Sequence, residues 1–138
     1  MGFEEFTSDD TDSSKGLEQR VRDEIREHGY KTRKIREEGI SGNTWELDAV
    51  AYSNNGSPVA YFEVKDASED IAKQTYRNHM VRAVAELTDF RNVEFPGYVV
   101  VPQKREFGNK DWDALFESIN CALIEESELS EVLSGLDT

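Results

Sequence analysis

WELDAVAYSNNGSPVAYFEVK, residues 45–65, is the stretch that decides the fold. Trp45 to Tyr52 reads as one strand and Val59 to Lys65 as another. Asn54-Asn55-Gly56-Ser57-Pro58 between them is a concentrated turn signal, so the two strands form an antiparallel hairpin. Side chains alternate along a strand, which puts Glu63 and Lys65 on one face and Phe62 and Val64 on the other. The hairpin also carries Asp48, flanked by Leu47 and Ala49, to within reach of Glu63 across the pair.

Outward from this hairpin, the chain alternates between helical and strand patterns. On the N-terminal side Leu17, Val21 and Ile25 recur at one-face helical spacing, and His28-Gly29 supplies a stop, predicting a helix over residues 15–28. Residues 30–37, basic with Tyr30, Thr32 and Ile35 interspersed, read as an exposed strand, and Glu38 to Asn43 as a loop. On the C-terminal side Tyr76, Met80, Ala83, Leu87 and Phe90 define a second helix over about residues 69–90. Pro96-Gly97 then leads into Tyr98 to Val101, a continuous apolar run expected of a strand covered on both faces and placed centrally in a sheet. A loop with Lys104, Arg105, Gly108 and Asn109 precedes a short helix from Asp111 to Ser118, an apolar strand from Cys121 to Ile124, and a last helix near Ser127 to Leu133.

The expected fold is therefore α/β: a three-layer sandwich with a central mixed sheet and helices on both faces, an αβββαβ core extended by αβα. Its 138 residues suit one domain. Residues 1–14, MGFEEFTSDDTDSS, have no period and read as an acidic flexible tail, leaving 15–138 as the domain.

Composition narrows the classes. With 29 acidic and 16 basic residues the formal net charge is −13. Such a charge repels itself unless screened, and near 1 M salt the Debye length falls to roughly 3 Å, so a salt-accumulating, halophile-like source is expected. An acidic chain is an unusual nucleic-acid partner. At high salt, however, counterion release contributes little affinity, and local basic groups and metal bridges to phosphate matter more. Two basic runs are present, Lys31, Arg33, Lys34 and Arg36, then Lys73, Arg77 and Arg82. The single cysteine, Cys121, sits in an apolar stretch and is read as core; it rules out an internal disulfide and a cysteine-based zinc site. No apolar run approaches the ~20 residues of a membrane span and no secretory signal is visible, so a soluble cytoplasmic protein is expected.

Two converging carboxylates are costly without a cation between them. Mg²⁺, a hard ion that takes oxygen ligands and often only one or two protein carboxylates, suits Asp48 and Glu63. Lys65 beside it would orient water and stabilise charge building on a phosphate. A solvated hairpin face is the bland alternative; the conjunction of strand, tight turn, strand and flanking helices favours chemistry.

Glu46-Leu47-Asp48 followed by Glu63-Val64-Lys65 resembles the PD-(D/E)xK motif of restriction-endonuclease-like nucleases, over residues 15 to about 103, with Leu47 where the motif's name has proline. The resemblance implies a metal-dependent DNA endonuclease of restriction, repair or junction-resolving type, with Mg²⁺, or Mn²⁺ as substitute, held by Asp48, Glu63 and the Val64 carbonyl. Lys15-Gly16-Leu17-Glu18 and the helix closing at Gly29-Tyr30 resemble archaeal Holliday-junction resolvases and modified-DNA restriction nucleases, which implies a metal-site role for Glu18 and, for a resolvase, a homodimer. Gln74 resembles a glutamine that several branches place near the site, although Asn78 stands where one branch has tyrosine. Lys73 and Arg77 on the same helix are candidate phosphate contacts, weighed against surface ion pairs. His79 is assigned no role. The rival readings are a catalytically inactive nuclease-fold module for DNA binding or assembly, and an acidic DNA mimic.

Overall fold

Leu17, Val21 and Ile25 are fully buried along one side of helix α1 (Leu17–Glu27), the first element of a computed structural model that describes residues 16–66, 73–90, 96–104 and 111–136. The acidic segment 1–14, positions 69–72 of the expected second helix, and Arg105, Gly108 and Asn109 lie outside the described residues. The helix ends because Gly29 adopts φ +91°, letting its N–H bond the Arg26 carbonyl and the Tyr30 N–H the Ile25 carbonyl. This double closure satisfies the last carbonyls, and a residue with a Cβ enters that conformation only at a cost.

Strands β1 (Lys31–Glu38), β2 (Thr44–Tyr52) and β3 (Pro58–Val64) follow, then α2 (Lys73–Phe90), β4 (Gly97–Val101), α3 (Trp112–Glu117) and β5 (Cys121–Glu125). A 3₁₀ turn, Glu126–Glu128, leads into α4 (Leu129–Ser134). The expected order of elements is the observed order, with boundaries among the described residues shifted by one or two residues. The last helix begins later than expected because the 3₁₀ turn takes up its first residues.

The sheet has the order β1-β2-β3-β4-β5. β1, β2 and β3 are antiparallel neighbours, and β3, β4 and β5 are parallel ones joined through α2 and α3. β3 is the middle strand. β4, expected at the centre, lies one place from it and is covered on both sides: Val99 and Val101 face one core and Val100 the other. The first core gathers Leu47, Val50, Tyr61, Tyr76, Met80, Ala83, Leu87 and Phe116 between the sheet and α2 with α3. The second packs Leu17, Val21, Ile25, Phe62, Ile124, Leu129 and Leu133 between the sheet and α1 with α4. The result is a three-layer α/β sandwich. Cys121 is buried, as expected. Among the described residues no helix is long and apolar enough to cross a membrane.

Two local devices position the central hairpin. Ser53 N–H bonds the Ser57 carbonyl at 2.8 Å and Gly56 takes φ +89°, giving a three-residue loop with its glycine in the left-handed region. On the other side of β2 the pairing steps: Arg33 faces Val50 and Ile35 faces Leu47, so Asp48 and Ala49 oppose the single residue Lys34. Such a bulge changes the phase of a strand and re-aims its side chains. Here it allows Leu47 and Val50 to enter the same core.

Candidate metal centre

The β2–β3 ladder pairs Ala49 with Phe62 and does not continue past it. Beyond that point β3 stays with β4, the Lys65 N–H bonding the Val100 carbonyl at 3.0 Å. The Val64 N–H, which points to the β2 side, has lost its strand partner. It donates instead to Asp48 Oδ2 at 2.7 Å. In a ladder a residue's N–H and C=O leave the strand on the same side, so the Val64 carbonyl is directed to the Asp48 side as well.

Glu63 and Lys65 share the α2 side of β3, as alternation requires. Lys65 Nζ stands 3.2 Å from Glu63 Oε2 and 3.9 Å from Glu86 Oε1 on α2. Glu63 and Glu86 are only 3% and 4% exposed. Their carboxyl groups lie within hydrogen-bonding reach of one another, but ionised carboxylates have no proton to donate. With both ionised, Glu63 Oε1 and Glu86 Oε2 have no donor among the described residues; a proton retained by one would bond the other.

The electrostatics follow from this crowding. Burial, with the Glu63 charge, pushes the Asp48 carboxyl up to about 7, against the lowering effect of the Val64 N–H. Burial and then Glu86 raise Glu63, with Lys65 opposing, and burial raises Glu86. His79, on the same flank of α2, is driven toward its neutral form by burial and by the Lys65 cation. Carboxylates this reluctant to ionise gain most from a cation. The donors are all oxygens, which fits Mg²⁺ or Mn²⁺. Among the described residues no group of three or more His, Cys, Asp or Glu side chains is arranged as a metal shell. A cation at Asp48 and Glu63 would therefore draw on two carboxylates, the Val64 carbonyl and water.

The remaining sequence candidates are placed as follows. Glu18 lies near enough for its charge to act on Asp48, but its Oε2 is 2.7 Å from Arg22 Nη1 and 2.7 Å from Lys34 Nζ. Burial raises its pKa and these two partners more than offset that, holding it below the usual carboxylate range. Arg22 Nη1 also donates to the Asp48 carbonyl at 3.4 Å, tying α1 to the site strand. Gln74 is exposed and donates to Asn78 one turn along the helix at 3.0 Å, and Arg77 is exposed; neither is gathered with Asp48, Glu63 and Lys65. The Lys73 side chain lies outside the described residues.

Glu86 escaped the sequence reading. It stands three residues after Ala83 and beside Leu87, a carboxylate at the margin of an apolar helical stripe, and that placement was the available signal. The 39–43 loop is also better defined than its composition suggests. Asp89 accepts from Ser41 N–H at 2.7 Å, Ser41 Oγ at 2.6 Å and Trp45 Nε1 at 2.7 Å, pinning the loop to the end of α2.

No known protein family and no curated protein matches the chain. Among solved structures it is similar to AF1548, a crystallised protein of unknown function, with a TM-score of 0.58 and 18% sequence identity. The match covers 84% of this chain and 62% of that protein, so the chain spans under two thirds of its length. At that identity the likeness establishes a shared fold.

Proposed function

We propose that the chain is a metal-dependent deoxyribonuclease of the PD-(D/E)xK type, hydrolysing phosphodiester bonds in DNA with Mg²⁺, or Mn²⁺ in its place. The observation that carries this reading is the meeting of Asp48 with the Val64 backbone where β2 and β3 part, beside a Glu63–Lys65 pair on the α2 side of β3. Asp48, Glu63 and the Val64 carbonyl would hold the cation. When bound, it would supply Lewis-acid polarisation of a phosphoryl oxygen and a more acidic water. The Lys65 ammonium offers a donor to the attacking water and to the charge that builds on the phosphate. The half-closed setting strengthens both effects, since buried charges are screened less than exposed ones.

The basic residues suit a phosphate backbone locally despite the overall charge. Lys31, Arg33 and Arg36 are exposed on edge strand β1, and Arg77 and Arg82 on α2. These groups would position DNA without reading its sequence. Within this reading a junction-resolving enzyme would act as a homodimer with two sites at fixed separation, in a salt-rich cytoplasm.

The test is cleavage of linear, single-stranded and branched DNA by the pure protein with Mg²⁺, Mn²⁺ or EDTA. The reading requires scission that EDTA abolishes, and its absence on all three substrates would end it. Equal rates on branched and linear DNA would remove the resolvase version alone.

A further inference from the structure

Glu86 costs the fold something that packing does not return. It lies on an 18-residue helix whose neighbouring inward positions, Tyr76, Met80, Ala83 and Leu87, are apolar. A buried carboxylate without a partner is strongly disfavoured. Lys65 serves Glu63 Oε2 and, at 3.9 Å, Glu86 Oε1. With both groups ionised, the two remaining oxygens, Glu63 Oε1 and Glu86 Oε2, have no donor among the described residues and belong to side chains more than nine-tenths buried, so the pair needs either a shared proton or a cation. Asp48, Glu63 and Glu86 together set three carboxylates against the one ammonium of Lys65.

We propose that Glu63 and Glu86 form a second divalent-cation position, with Glu63 shared between it and the position at Asp48 and the Val64 carbonyl. The proposal rests on the nuclease reading above and extends it to a residue in the helix layer. It uses the two oxygens that lack a donor among the described residues when the pair is ionised, and it needs no more than two carboxylates per ion, the usual demand of Mg²⁺. Two ions sharing Glu63 would supply charge neutralisation to both the attacking and the leaving oxygen of an in-line displacement. Two dications beside this group of side chains leave the centre positive. That gives a chain of net charge −13 a local reason to accept a phosphodiester.

The experiment is Mn²⁺ titration by calorimetry and electron paramagnetic resonance on the full chain, Glu86→Gln and Asp48→Asn, with melting curves alongside. The expected results are two Mn²⁺ per wild-type chain with a spin-coupled spectrum, and in Glu86→Gln one Mn²⁺ with the pattern of an isolated ion. Asp48→Asn should lose the other ion preferentially. One Mn²⁺ in both wild type and Glu86→Gln would overturn the second position and leave the nuclease reading standing. A lowered Tm in Glu86→Gln with unchanged stoichiometry would likewise reduce Glu86 to a structural role. No Mn²⁺ on the wild type would remove both. Should Glu86→Gln not fold, the wild-type spectrum decides, since uncoupled ions contradict a shared Glu63.

Discussion

Asp48 Oδ2 accepts the Val64 N–H at 2.7 Å, so a side chain occupies the place a strand carbonyl would take, and it does so beside the carboxylate of Glu63. Asp48 therefore has two separable jobs. Asp48→Asn retains an oxygen for the Val64 N–H and should keep the wild-type Tm or exceed it, while losing cation affinity. Asp48→Ala also leaves the donor unpaired and should cost about 1 kcal/mol or more of stability. Urea denaturation and calorimetry check both; undiminished Mn²⁺ affinity in Asp48→Asn would contradict the assignment.

The raised carboxyls set a pH dependence. Asp48 is lifted from 3.8 to about 7, and Glu63 and Glu86 are lifted with it. A carboxyl whose folded pKa is raised contributes stability that is fully present below its unfolded pKa and is lost as pH rises through the folded value. In EDTA the protein should thus melt at higher temperature at pH 6 than at pH 8.5. Glu18, whose pKa is lowered, acts in the opposite sense and only in more acid solution. Mg²⁺ should raise Tm more at pH 8.5 than at pH 6, because ligands must be deprotonated to bind it. Thermal scans at both pH values with and without Mg²⁺ test this, and a Tm that rises with pH in EDTA would count against the burial of these charges.

Lys65→Met removes the ammonium while filling similar space. Cleavage should fall by about 10²–10³-fold, with Mn²⁺ binding retained or tightened because a like charge has gone from beside the ligands. Single-turnover rates and Mn²⁺ titration measure the two effects separately; a parallel loss of Mn²⁺ would recast Lys65 as a residue that organises the ligands.

Gly97 faces Tyr61 across β3 and β4, and a Cβ built on it collides with the Tyr61 ring. Gly97→Ala should cost about 1–3 kcal/mol by forcing a buried side chain aside. Urea denaturation checks this, and neutral behaviour would mean that the ring has room to move.

Much of this was legible in the sequence because local patterns carried it. The Asn54–Pro58 turn fixed the β2–β3 hairpin, two-residue alternation put Glu63 and Lys65 together, and the apolar run 98–101 marked a doubly covered strand. Other features needed the third dimension. The bulge opposite Lys34 has no residue signature, since Leu47, Asp48 and Ala49 look like ordinary alternation until the register with β1 is known. Glu86 depends on where α2 crosses the sheet, a packing angle that periodicity does not encode. Glu18 was marked by resemblance, and the geometry gives its carboxylate to Arg22, one turn along α1, and to Lys34, which β1 brings close only when the sheet forms. Gln74 was marked by its spacing from Lys65, but α2 turns it outward, toward Asn78.

The central claim is that Asp48 and Glu63 hold a cation for phosphodiester hydrolysis. Its most direct measurement is the rate of DNA scission in high KCl with Mg²⁺ or Mn²⁺, wild type beside Asp48→Ala. The account predicts scission by the wild type that requires the cation and is abolished in the variant. Cation-independent scission, or an equal rate in Asp48→Ala, would contradict it.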